Sequence, residues 1–251
     1  MRRSVILLLV VLVVVGLLVG ADRVAAGIAG GQAASRLQTS QGLAATPSVR
    51  FAGFPFLTQA VSGTYSDIVV DIDGLTRDGL RLEHIRAHLQ GVHAPLSRLR
   101  NGTLASLPVN HAAATVTLTY ADLDAYLATH VTGAPRVAYG GRSDVVAITG
   151  GVRVPAALRA LPGVPATLNA TADASVSLTG STLVLTPTAL RDLPTAIPAA
   201  VRSAVVAALT VRQPLTGLPF GVTLTGVHAS SAGIVLSAAA DSLVVPLRSG
   251  A

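Results

Sequence analysis

The sequence contains no cysteine and no lysine, and it is poor in aromatic residues. The absence of cysteine excludes thiolate metal sites, a cysteine nucleophile, structural disulfides and a lipid attached through an N-terminal cysteine. Every basic residue is arginine, and every acid except Glu83 is aspartate. The 251 residues include four phenylalanines, four tyrosines and no tryptophan. A core built from this chain therefore consists mainly of alanine, valine and leucine.

Charge is also scarce, since 12% of the residues are charged and 51% are hydrophobic. The formal net charge is +6, and the arginines are scattered rather than clustered. This pattern argues against nucleic acid as a partner. A mildly basic chain is instead suited to the anionic surface of a membrane.

The N-terminus carries the one long apolar run, which extends from Val5 to Val19 behind two arginines. This arrangement is typical of an export signal and places the remainder of the chain outside the cytoplasm. The run is long for a signal peptide but shorter than the ~20 residues that span a bilayer comfortably. Residues 1–21 are therefore either a signal peptide cleaved after Ala21 or a membrane anchor, and the retained anchor is favoured.

Residues 22–43 lack proline and are rich in alanine, which predicts a helix that ends at Gly42. Three glycines within it weaken helix propensity by roughly 1 kcal/mol each. They indicate either a poor helix or close packing of this helix against a sheet. The predicted packing stripe consists of Val24, Ile28, Gly31 and Ser35.

Alternation of apolar and polar residues predicts antiparallel strands over most of 49–118 and 136–187. A short helix is predicted over 121–130. A second helix is predicted over 196–209 and expected to be buried on most sides, because its apolar stripe is wide. We therefore expect an α+β fold with more strand than helix, in one domain that covers residues 22–251.

The sequence G-x-P-F occurs at 53–56 and again at 217–220, each time after a predicted helix and before predicted strands. The first copy lies among three of the four phenylalanines. Together these features suggest a curved antiparallel sheet wrapped around long apolar helices. Such a sheet would form an apolar groove able to hold acyl chains, unless the apolar surface simply packs on itself.

Polar clusters give little support for catalysis or metal binding. His84 and His88 would lie about 13 Å apart on a strand, too far to share an ion, and are interpreted as solvent-facing. The acids at 67, 71 and 73 share one face of a predicted strand, and a solvated face is favoured over a cation site. Asp122 and Asp124 are the only compact carboxylate pair. We predict no cofactor and no metal.

Several segments, in order, carry a family resemblance. The apolar N-terminus runs into "DR", and "PSVRFAGFPFLTQ" is followed by "GTYSDIVV", then by "LTYADLDAYL" and "LPFGVTLTGV". This order resembles the actinobacterial LmeA-like family of cell-envelope phospholipid-binding proteins, whose fold is similar to the tubular lipid-binding (TULIP) superfamily. The resemblance implies binding of phospholipids such as phosphatidylinositol, a role in the maturation of envelope mannans, and no catalytic residues.

Candidate binding residues follow from the groove and this resemblance. Acyl-chain contacts are predicted for Phe51, Phe54, Phe56, Leu57, Val61, Ile197, Val201, Val205, Leu209 and Phe220, and head-group contacts for Arg50, Arg77 and Arg81. The expected partners are phospholipid, the membrane surface and membrane glycosyltransferases. Two alternatives remain: a structural partner of such transferases without a lipid pocket, and an enzyme acting on lipid-linked sugars.

Overall fold

In a computed structural model, the described residues are 2–77, 79–95, 97, 98, 101, 106–130, 135–159, 165–191, 198–214 and 222–246. The helices with defined bounds are α1 (Arg2–Gln41), α2 (Phe56–Ser62), α3 (Tyr120–His130), α4 (Ala156–Arg159) and α5 (Ala199–Leu209). The first strands are β1 (Ser48–Phe51), β2 (Thr64–Arg77), β3 (Leu80–His93), β4 (Ser106–Leu118), β5 (Arg136–Arg142) and β6 (Val145–Arg153). The remaining strands are β7 (Thr167–Thr179), β8 (Thr182–Arg191), β9 (Val211–Pro214), β10 (Thr223–Ala229) and β11 (Ile234–Pro246).

The strands form two antiparallel sheets, which confirms the predicted α+β class. One sheet has the order β1-β2-β3-β4-β11-β10, and the other has the order β5-β6-β7-β8-β9. Within the second sheet, β5 to β8 are paired with their neighbours in chain order. Long alternating segments joined by short turns favour this arrangement, because each strand buries one face and exposes the other.

The chain divides into two compact units. The first comprises 1–73, 86–114 and 240–251, and the second comprises 74–85 and 115–239. The single domain over 22–251 therefore remains a prediction.

In the first unit, α1 is one continuous helix that ends before Gly42, as predicted, and Gly42 has a φ of 62°. Val24 and Ile28 are 63% and 60% exposed, so the predicted packing stripe is wrong. The buried side of α1 is instead formed by Asp22, Ala26, Gly30 and Ala34, which are spaced four residues apart.

Gly30 explains why this stripe, and not the more hydrophobic one, faces the sheet. A Cβ at position 30 would lie 2.3 Å from the carbonyl oxygen of Val49 on β1. Small residues at four-residue spacing therefore let the α1 backbone approach β1 closely. Of the two alternatives for this glycine-rich helix, close packing against a sheet is the one observed, although on a different face.

In the second unit, α5 packs against β6 and β8. Val201, Val205 and Leu209 are buried in the main apolar core of this unit, together with residues of β6 and β7 such as Ile148 and Ala172. The helix is nevertheless buried on one face only, so the prediction of burial on most sides is wrong. Its outward face consists of Ala199, Ala200, Arg202, Ser203, Ala207 and Ala208. Alanine favours helix without requiring burial, so a wide alanine stripe overstates how much of a helix is covered.

The predicted helix over 121–130 is confirmed as α3. Thr119 accepts a hydrogen bond from the backbone N–H of Asp122 at 3.1 Å and donates to its carboxylate at 2.6 Å. This reciprocal pair caps the first turn of the helix.

Candidate functional site

An open cleft of ≈ 470 Å³ lies on the six-stranded sheet and is lined by residues of the first unit. Three neighbouring strands and the residue that follows β1 line it. The lining residues are Arg50, Phe51, Ala52, Asp67, Val69, Arg86 and His88. In the antiparallel register Arg50 lies directly opposite Val69, so the two side chains share one face of the sheet.

Two arginines of this cleft share one carboxylate. Arg50 Nη2 donates to Asp71 Oδ2 at 2.9 Å, and Arg86 Nε donates to Asp71 Oδ1 at 2.6 Å. The side chain of Asp71 is 11% exposed, whereas those of Arg50 and Arg86 are 62% and 49% exposed. The expectation of a solvated strand face is therefore wrong for Asp71, because the two arginines cover it. Arg50, Arg86 and Asp71 carry a formal charge of +1, and Asp67, which also lines the cleft, brings the formal sum to zero.

The electrostatics of this cluster favour an ionised Asp71. The hydrogen bond from Arg86 lowers the pKa of Asp71 below its ordinary value of 3.8; burial opposes this and the bond from Arg50 adds to it. A carboxylate that is held ionised in this way can fix two guanidinium groups in one place.

Asp71→Asn is expected to destabilise the protein by about 1–3 kcal/mol at neutral pH, because it weakens two charge-assisted hydrogen bonds at a buried position. Since the pKa of Asp71 is lowered in the folded state, its contribution is complete above 3.8 and is lost as the pH falls through the lowered pKa. Thermal unfolding of the full chain in mild detergent, followed by circular dichroism at neutral and acid pH, measures both effects.

Asp144→Asn is the matched control, because Asp144 also pairs with an arginine, Arg142, but both side chains are mostly exposed. It should change stability little. The shared-carboxylate interpretation fails if Asp71→Asn is no more destabilising than Asp144→Asn, or if its deficit is the same at acid pH.

Asp67, the acid that lines the cleft, is close to a histidine. His88 Nδ1 lies 3.7 Å from Asp67 Oδ1, and that oxygen is buried without a hydrogen bond among the described residues. His84 and His88 lie on β3, as predicted. The described residues contain no group of three or more histidines and acids placed to hold a metal ion.

The phenylalanines near the cleft separate into a packed cluster and an exposed side chain. Phe51 and Phe56 have ring centroids 5.1 Å apart, and Tyr65 lies 5.2 Å from Phe51. Phe56 is 6% exposed and is therefore a core residue. Burial also raises the pKa of Tyr65. Phe54, in contrast, is 61% exposed.

The G-x-P-F sequence at 53–56 leads into α2, and not directly into a strand as predicted. Leu57 and Val61 lie on the outer face of α2 and are 45% and 85% exposed. The second G-x-P-F sequence, at 217–220, lies outside the described residues.

The other predicted binding residues are in different surroundings. Arg81 pairs with Glu83 at 3.4 Å and lies 3.9 Å from Asp122. Ile197 and Phe220 lie outside the described residues, as does the side chain of Arg77. Val201, Val205 and Leu209 lie in the core of the second unit.

The carboxylates considered for catalysis both have structural partners. Asp122 takes part in the cap of α3, and Asp124 Oδ1 accepts a hydrogen bond from the backbone N–H of Val137 at 2.7 Å. Residues two apart on a helix point to opposite sides. These acids therefore do not face a common cleft.

Sequence reasoning missed Arg86, Asp71 and Tyr65 as members of this region. In the sequence, Arg86 lies on the polar face of the alternating segment that forms β3. Asp71 lies on the polar face of the segment that forms β2. Opposite charges on the polar faces of neighbouring strands were the available signal, but the register that pairs them is not visible in one sequence.

Comparison with known proteins finds a family match. No curated protein and no solved structure matches the chain. The model of the LmeA-like phospholipid-binding family matches residues 20–239, which include α2, the cleft and α5. This match supports lipid binding by the protein. The chain belongs to the LmeA-like phospholipid-binding family.

Proposed function

We propose that this protein binds phospholipid on the outer side of the membrane, where α1 holds it as a retained anchor. Support comes from α1, the one helix among the described residues that is long and apolar enough to cross a membrane. Its side chains from Ile6 to Leu18 are at least 49% exposed, which leaves them available to lipid.

We further propose that the cleft receives the phosphodiester head group. The observation that carries this proposal is the sharing of the buried Asp71 carboxylate by two half-exposed arginines. Arginine binds phosphate through parallel N–H groups, and a fork already held by hydrogen bonds loses little entropy on binding. Phe51 adds an apolar surface beside these charges, whereas Val69 is only 7% exposed. A head group that is anionic and joined to a glycerol backbone fits both features.

The binding site of the acyl chains is less well defined than that of the head group. Each methylene buried contributes about 0.8 kcal/mol, so one long chain provides micromolar affinity after the costs of association. Contact with the buried face of α5 requires its core to open, because Val201 and Val205 are 0% and 1% exposed. The described contacts therefore favour the head-group cleft over the predicted groove as the first point of binding.

In this proposal the protein is not an enzyme. It presents or withholds phospholipid, with phosphatidylinositol as the expected species, and so supports the maturation of envelope mannans and lipoglycans by membrane glycosyltransferases. A structural partner of those transferases would bind no lipid. An enzyme acting on lipid-linked sugars would lose activity, but not lipid binding, when a catalytic acid is replaced.

Calorimetric titration of the full chain in neutral detergent micelles tests the cleft. Short-chain phosphatidylinositol should bind more tightly than short-chain phosphatidylcholine, since only the first carries a net negative head group. Arg50→Gln should weaken the binding of phosphatidylinositol by about tenfold, the loss expected for one charge-assisted hydrogen bond. The deacylated head group, glycerophosphoinositol, should bind more weakly than the lipid because it lacks the apolar contacts.

Arg142→Gln provides the matched control, because Arg142 is another exposed arginine paired with an aspartate, and it lies outside the cleft. It should leave the affinity unchanged. Equal affinities for the two lipids, or equal losses in the two variants, would show that the cleft does not read the head group.

A further inference from the structure

We propose that α2 and the turn before it form a membrane-contact patch, consisting of Phe54, Leu57 and Val61, that inserts into the bilayer interface beside α1. The occupant of this patch is the lipid bilayer itself, not a lipid taken up by the protein. The inference rests on the retained anchor proposed above and is independent of the head-group cleft.

The patch is exposed and apolar. Phe54, Leu57 and Val61 are 61%, 45% and 85% exposed. Leu57 and Val61 are four residues apart and therefore lie on one face of α2, and Phe54 lies in the turn before the helix. Outside α1, only Tyr139 and Val244 are further large apolar side chains that are exposed among the described residues. Exposed apolar surface is thus concentrated at α2.

Two hydrogen bonds and one cation–π contact fix α2 and its turn to one level of α1. The backbone N–H of Leu57 donates to Asp22 Oδ1 at 2.8 Å. Arg23 Nη2 donates to the carbonyl oxygen of Gly53 at 3.2 Å, and the Arg23 guanidinium carbon lies 5.1 Å from the centre of the Phe54 ring. The patch is therefore held beside residues 22 and 23.

Residues 22 and 23 lie just beyond the end of the apolar run. Val19 and Asp22 are three residues apart, which corresponds to about 5 Å along a helix. With Gly20 and Ala21, which follow the apolar run, the segment from Val5 to Ala21 is about 26 Å long at 1.5 Å per residue, whereas the hydrocarbon core is about 30 Å thick. A short anchor draws its end toward the hydrocarbon boundary. The patch then lies at the interface, where apolar side chains replace water with lipid.

The polar groups of residues 22 and 23 are also suited to the membrane interface. Asp22 is 3% exposed, and its carboxylate accepts hydrogen bonds from Leu57 and from the Arg23 side chain. Docking of α2 therefore shields the one acid that would otherwise meet lipid. Arg23 keeps its side chain 42% exposed, and a long arginine at the end of a spanning helix extends its charge toward lipid phosphates.

Because the chain lacks tryptophan, a single introduced tryptophan reports its own surroundings. Phe54→Trp is placed in the full chain and reconstituted in vesicles of phosphatidylcholine and phosphatidylglycerol. The phosphatidylcholine carries bromine either near the head-group end of the acyl chain or deeper in it. The expected result is emission at shorter wavelength than in water and stronger quenching by the shallow bromine than by the deep one.

Leu12→Trp tests the anchor separately, and the deep bromine should quench it. Absence of quenching at position 12 would overturn both the anchor and the patch. Quenching at position 12 without quenching at position 54 would overturn the patch alone and leave the anchor intact.

Two further pairs of changes in the Phe54→Trp chain test the outer face of α2. Leu57→Ser with Val61→Ser should reduce the shallow quenching. Thr58→Ala with Ser62→Ala, on the same exposed face, should preserve it. Quenching that is the same in both double variants would overturn the role of the two apolar residues.

Discussion

Replacement of Val205 by aspartate should cost about 3–5 kcal/mol, because it leaves an unpaired charge in an apolar core. Val205 is 1% exposed and lies in the cluster that joins α5 to the second sheet. Small domains are stable by only about 5–15 kcal/mol. We therefore expect a large fall in the unfolding temperature of the full chain in mild detergent, measured by circular dichroism.

Ser203→Asp is the control for helix position and added charge. Ser203 lies on the exposed face of the same helix, and aspartate there should change stability by no more than about 0.5 kcal/mol. If the two variants unfold at the same temperature, α5 does not contribute its buried face to the core.

Phe56→Ala is expected to destabilise the first unit by about 3–5 kcal/mol, the usual cost of removing a large buried aromatic side chain. Phe56 contacts Phe51 and Tyr65, with ring centroids 5.1 Å and 6.1 Å away. Truncation leaves a cavity in the middle of this aromatic cluster. Chemical unfolding of the full chain, monitored by circular dichroism, measures the loss.

Phe54→Ala provides a matched comparison, since it removes the same side chain two residues earlier in the same turn. Phe54 is 61% exposed, so its truncation should cost much less than that of Phe56. Similar losses of stability in the two variants would contradict the division of this turn into one core residue and one surface residue.

The sheets of this protein are the part that sequence reasoning predicted best. Alternation over β7 reflects a strand that buries one face, and this pattern is local, so a single sequence displays it. In β2 the buried residues are instead Tyr65, Val69 and Asp71, on the face that carries the acids. The end of α1 at Gly42 is a local signal of the same kind.

The helix faces were predicted less well. Val24 and Ile28 were expected to pack because they are the larger apolar residues of their segment, yet Gly30 faces β1. Close approach of two backbones selects the smallest residue, which a hydrophobicity pattern does not show. For α5, exposed alanines made the apolar stripe appear wider than its buried face.

The candidate site depends on which strands are neighbours. Arg50 was predicted from its place beside the phenylalanines, whereas Arg86 and Asp71 enter only through the pairing of β1, β2 and β3. Cross-strand contacts of this kind join residues that are 15 and 21 positions apart. The same limit applies to α2, whose attachment to Asp22 joins positions 35 residues apart.

Native mass spectrometry of the full chain, extracted from its producing cells in mild detergent, tests the central claim of phospholipid binding most directly. We expect a population of protein whose added mass equals one phospholipid, with an anionic head group identified after release. The chain with Arg50→Gln and Arg86→Gln should lose most of this population, whereas Arg142→Gln should retain it. Protein that carries no lipid in any of these forms, under conditions that preserve its folded charge states, would contradict the account.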